Sequence, residues 1–219
     1  MSIIQANQLS VQIANVAGGI TVGADANVAG QLGVTGNIWV NGANIDTRGR
    51  HTIFIHGTGI TPAFSNGAFH NTFETTTNKQ TVRTLDFDPI VQKFGQFSIQ
   101  MPKSWDRGNV FCQVVWSHAN TVTNYGVVWS MQAVAYGNDN VLDTAFGTEQ
   151  NMIDTGGTNN AIYISPESPG IVVEGSPAAE EYITFQIKRS PANTNDTLSI
   201  DARLHGVKIH YVSANTTED

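Results

Sequence analysis

The sequence predicts an all-β protein in two parts: a short stalk of intertwined triple β-helix type, then a jelly-roll-like β-sandwich head. Three observations lead there. Valines recur every six residues near the start of the chain. Short runs of apolar–polar alternation fill the chain after residue 50. The composition is one of strands and turns, with 13% charged residues and 21 glycines among 219 residues.

Residues 1–15 form a lead-in in which Leu9, Val11 and Ile13 alternate as in a short strand. The six-residue grid follows over residues 16–45, marked by Val16, Val22, Val28, Val34 and Val40. Gly18, Gly30, Gly36 and Gly42 hold the third place of four hexads, and Ile20, Leu32 and Ile38 recur at the fifth. A step of six fits neither the 3.6 period of a helix nor one long alternating strand. It fits very short strands that turn at each glycine and return to one face every hexad.

The count of hexads limits how such a stalk can exist. One chain needs about three hexads per triangular coil and about three coils for stability, so five hexads are too few. A buried valine is worth about 1.5–3 kcal/mol, which gives the chain a strong reason to find partners. Three chains around one axis bury Val16, Val22, Val28, Val34 and Val40 in the middle, together with Ile20, Leu32 and Ile38.

DTRGR, residues 46–50, reads as a polar hinge that ends the repeat. The head, 51–219, then offers strands at 51–56, 68–74, 81–87, 95–101, 109–118, 125–136, 160–165, 181–189 and 205–212, separated by turn formers. Eight or more such strands suggest a sandwich of jelly-roll type. Residues 143–155 read as a long loop with room for one helical turn. SIDARLHG fits either a kinked last strand or a short turn. In 125–136, Val127, Trp129 and Met131 share one face while Val128 lies opposite, as in a central strand or one buried by a neighbouring subunit.

QLGVTGNIWVNGANI resembles the glycine- and asparagine-rich shaft repeats of bacteriophage fibres, in which three chains intertwine into a β-helical stalk. Residues 183–212 are more loosely similar to the closing segment of many phage virion proteins. The resemblance implies a homotrimeric virion component assembled in the bacterial cytoplasm. Two positions on the particle fit it. One is a capsid-decorating or head-fibre protein gripping other virion proteins through residues 1–15, favoured by the short stalk. The other is a tail-fibre or receptor-binding module that recognises a host surface glycan.

Charge and motifs restrict the chemistry. A net charge of −7 without a Lys/Arg cluster argues against nucleic acid and anionic membranes. No run is long and apolar enough for a bilayer span, and MSIIQANQLS lacks the pattern of a signal peptide. The single cysteine, Cys112, excludes a disulfide scaffold, and its parity with Val110 and Val114 points it into a core.

No catalytic, cofactor or metal motif is present, so a non-enzymatic protein is expected. His51 and His56 fall on opposite strand parities, as do His205 and His210, so neither pair shares a ligand face. Asp86 and Asp88 have a spacing that suits either a glycosidase pair or turn capping. GNDNVLD, 137–143, resembles a calcium loop but lacks its glycine and closing glutamate, and reads as an Asn/Asp turn. Trp105, Asp106 and Arg107 form the candidate glycan contact. The indole either stacks on a sugar ring or anchors its loop to the sandwich, whereas Trp116 and Trp129 read as core.

Overall fold

The computed structural model describes residues 39–40, 43–44, 49–119, 125–178 and 180–214. The chain divides into two units, Met1–Ile45 and Asp46–Asp219. In the first, β1 (Trp39–Val40) and β2 (Ala43–Asn44) pair antiparallel, with Trp39 opposite Asn44 and Val40 opposite Ala43. The predicted stalk core at Val16, Ile20, Val22, Val28, Leu32, Val34 and Ile38 lies outside the described residues, as do residues 1–15. Of Val40 only the backbone is described.

The second unit is an all-β sandwich. Its strands are β3 (Arg50–His56), β4 (Thr61–Pro62), β5 (Phe69–Glu74), β6 (Thr81–Phe87), β7 (Phe94–Gln100), β8 (Phe111–Ser117) and β9 (Tyr125–Tyr136), followed by β10 (Gln150–Gly156), β11 (Tyr163–Ile164), β12 (Val173–Glu174), β13 (Tyr182–Arg189) and β14 (Ala202–Val212). One sheet runs β10-β9-β13-β7-β4, with the short β12 parallel to β9. The other runs β11-β8-β14-β6-β5, with β3 along β14 beyond β6.

Successive strands cross between the sheets so that β6-β14-β8-β11 faces β7-β13-β9-β10. This is the interleaved order of a jelly roll. Alternation explains the layering. Cys112, Val114 and Trp116 of β8 point inward against Val127, Trp129 and Met131 of β9, all fully buried. Phe87 meets Trp129 edge-on at 5.1 Å, and Phe97 stacks on Phe185 at 5.1 Å. The predicted inward parity of Cys112 and core placement of Trp116 and Trp129 agree with this arrangement.

Three local readings are settled or revised. Residues 143–155 contain no helical turn; they lead into β10, an edge strand along β9 from Gln150 opposite Met131 to Gly156 opposite Tyr125. Its sequence, QNMIDTG, buries only Met152, so alternation is too thin to announce a strand. SIDARLHG becomes the start of β14, kinked at His205, where the register against β8 shifts between Leu204 and Gly206. Val128, on the second face of β9, is fully buried within the single chain, where the segment after β13 runs along it and Ser190 N–H donates to its carbonyl at 2.8 Å.

Candidate functional site

Trp105 does not present a face for a sugar. It is 1% exposed and belongs to the core, and its backbone bridges to Ser213. Asp106 N–H donates to the Val212 carbonyl at 3.0 Å, and its carboxylate accepts the Gly108 N–H at 2.9 Å. Arg107 is exposed at φ 62° in the same turn. Stacking needs an open ring, so Trp105 is the loop anchor and the predicted contact at Trp105, Asp106 and Arg107 is corrected on that ground.

The other polar candidates resolve in the same way. Asp88 accepts the Ile90 and Val91 N–H groups at 2.7 Å each, and these bonds hold its carboxyl below the ordinary carboxylate range. In 137–143, Asn140 accepts the Gly137 N–H at 2.8 Å and closes a turn with Asp139 at φ 65°. The kink at His205 resets the strand parity, so His205 and His210 do reach the same outer face, contrary to the alternation argument. Five residues of strand, about 16 Å, still separate them. His205 pairs with Ser117 Oγ at 2.8 Å and His210 with Thr52 Oγ1 at 2.8 Å. Partial burial lowers both imidazole pKa values. Among the described residues, no three His, Cys, Asp or Glu side chains converge on a metal-sized site.

What the sheet does assemble is a polar row on its outer face. Cross-strand pairing sets Phe69 beside Asp86, Asp86 beside Arg203, and Arg203 beside Ser117. Asp86 is nearly buried and accepts from Asn71 Nδ2 and Thr84 Oγ1, both at 2.6 Å. Arg203 Nε stands 4.0 Å from Asp86, while the guanidinium covers the Phe73 ring at 4.3 Å and donates to Asn160 Oδ1 at 3.0 Å. An open cavity of about 290 Å³ lies over this row, lined by Asn71, Asp86, Ala119, Ile200, Asp201 and Arg203. Desolvation, then the charges of Asp86 and Asp88, push the Asp201 carboxyl above its ordinary value. Phe69, 59% exposed, has Lys93 over its ring at 4.9 Å.

Sequence reasoning passed over this row because Arg203 fell in the undecided SIDARLHG stretch. The signal was parity: Asp86 with Thr84 on one strand, and Phe69 with Asn71 on the next.

Both lateral edges of the sandwich carry exposed apolar side chains among polar ones. At one, the loop 63–68 crosses from β4 to β5 beside the loop 88–93. Ala63 and Ala68 N–H both donate to the Phe94 carbonyl, and Phe94 N–H donates to Asn66 O. This edge exposes Phe64 (108%), Ile90 (84%), Phe69 and Val91. At the opposite edge, the stretch 157–162 crosses from β10 to β11 and exposes Ile153, Ile162 and Ile164. A groove of about 700 Å³ opens there, lined among others by Ile153, Thr155, Gly156, Thr158 and Asn195.

Fold and surfaces together define a jelly-roll β-sandwich with a polar outer cleft and exposed apolar side chains at both lateral edges. No protein-family model and no curated protein matches the sequence. Among solved structures, the chain is similar to carbohydrate-binding module CBM36 in complex with calcium and xylotriose. That match has 10% identity and a TM-score of 0.33, and covers 74% of this chain and 99% of the module. It is also similar to chains from structures of infectious bursal disease virus. For the Gx strain the identity is 9% and the TM-score 0.34; for the Gt strain they are 12% and 0.33. Each covers 80% of this chain, which spans only 36% and 35% of the viral chains. No helix among the described residues is long and apolar enough to cross a membrane.

Proposed function

We propose that this chain is a non-enzymatic structural protein of a bacteriophage particle: a homotrimer that decorates the capsid, held to other virion proteins through residues 1–15. The observation that carries the reading is the surface of the head. Phe64 is 108% exposed, Ile90 84%, Leu142 76% and Val141 72%. Apolar side chains this large and this open are suited to a surface that meets other protein. The hexads of residues 16–45 support the same conclusion, since five suit three chains and not one. Quantitative mass spectrometry of purified virions tests the position. Hundreds of copies per particle are expected, and a few tens confined to the tail would refute decoration.

The polar cleft favours a second reading, a tail-fibre or receptor-binding module for a host surface glycan. A carboxylate and a guanidinium 4.0 Å apart can share the hydroxyls of a sugar, with the Phe69 ring, covered on one face by Lys93, beside them. Titration with glucose, galactose and N-acetylglucosamine, followed by amide chemical shifts, tests it. Under this reading one sugar binds with a Kd on the order of 1 mM, and Phe69→Ala weakens it by about five- to tenfold. No response at Asn71, Asp201 or Arg203 to any of the three rules out the cleft.

A further inference from the structure

We infer that the heads associate head-to-tail in a ring, the Phe64 edge of one copy seating in the Ile153 groove of the next. This rests on the trimer reading above and adds the surfaces that meet. The two edges lie at opposite ends of both sheet orders, with β4 and β5 at one and β10 and β11 at the other. They differ in shape. One projects a fully exposed aromatic ring from a crossing loop; the other opens a groove walled by Ile153, Thr155 and Gly156.

Unlike edges cannot both be covered by one two-fold contact. Pairing each with itself would use two different two-fold contacts, which give even-numbered closed assemblies or open chains and never three copies. A single contact between unlike edges covers both and closes when the rotation returns to its start. The hexad count sets that closure at three copies.

The area agrees with a second copy as the occupant. Complete cover of the exposed apolar side chains on the two edges would bury at most about 800 Å² per contact, within the apolar half of a standard interface of about 1,600 Å². Phe64 has the character of an interface anchor, a rigid ring entering a pocket on the partner. It lies in the loop 63–68, which the Phe94 main-chain bonds hold in place before any partner arrives.

The test uses the full chain with Phe64→p-benzoylphenylalanine, which keeps an aromatic ring at a solvent-exposed position. Irradiation is expected to join chains into covalent dimers and trimers, with the cross-linked peptide falling within the groove lining at residues 125–126, 150–158 or 194–197. In the unlabelled chain, Phe64→Glu is expected to raise the concentration at which trimers half-dissociate by about tenfold or more. A trimer by sedimentation whose cross-links fall elsewhere, or within one chain, overturns the edge pairing and leaves the trimer standing. A monomer by sedimentation overturns both.

Discussion

Replacing Arg189 with methionine is expected to destabilise the head by about 3–5 kcal/mol, the cost of removing one partner from a buried ion pair. Arg189 closes β13 and is fully buried, and its partner Asp196 has a side chain only 1% exposed. The guanidinium donates to both Asp196 oxygens, with Nη2–Oδ1 at 2.7 Å and Nε–Oδ2 at 3.0 Å. It also donates to the Ile200 carbonyl at 2.7 Å, the Phe87 carbonyl at 3.3 Å and the Leu198 carbonyl. One side chain thus ties the loop 190–200 to the end of β6. Asp196 in turn accepts the Val128 N–H at 3.0 Å, which fixes that loop over β9. Methionine fills similar space but leaves a buried carboxylate without its cation and three carbonyls without this donor.

At about 2–4 °C per kcal/mol for a domain of this size, the melting temperature should fall by about 6–20 °C in near-ultraviolet circular dichroism. Arg189→Met combined with Asp196→Leu should recover part of the loss, because the orphaned charge goes too. A drop below about 1 kcal/mol in the single variant would mean the network positions the loop without stabilising it.

The contrast between Arg189 and β6 shows what the sequence makes legible. TVRTLDF alternates over its second half, Thr84 to Phe87, and the strand found is the whole stretch, Thr81–Phe87. YGVVWSMQAVAY likewise appears whole as β9. Alternation is a local signal, and it survives wherever one face of a strand is buried. Arg189 has no such signal, since its partners come from residues 87, 196, 198 and 200. Parity arguments held for Cys112 but failed for His205 and His210, because one extra residue in a strand flips everything beyond it.

Trp105 followed a similar course. Its polar neighbours Asp106 and Arg107 suggested an exposed ring, but both are engaged in the turn while the indole drops into the core. Phe64 is the reverse case. An aromatic residue in the turn-rich PAFSNGA gives no period to read, so its exposure emerges only once the loop is seen against Phe94. Exposed side chains on loops escape pattern reading because no periodic face sets their burial.

The full chain with Val28→Asn and Val34→Asn is expected to sediment as a monomer at concentrations where the parent is trimeric. On the proposed trimeric stalk, both valines fall in the shared interior of the hexad repeat, and three chains multiply the change to six side chains. At about 1.5–3 kcal/mol per buried valine, the loss approaches 9–18 kcal/mol for the trimer before any cost of burying the amides. Association energies of most complexes lie in or below that range, so the trimer should weaken by many orders of magnitude. The head should be indifferent. Its core draws on Trp116, Trp129, Phe87 and Phe185, all within residues 51–219, and its melting transition should match that of residues 51–219 expressed alone. Analytical ultracentrifugation with circular dichroism reads both quantities. A persistent trimer would move the main association energy from the hexads to the edges at Phe64 and Ile153. A head that melts early would mean that assembly stabilises the sandwich as well as gathering it.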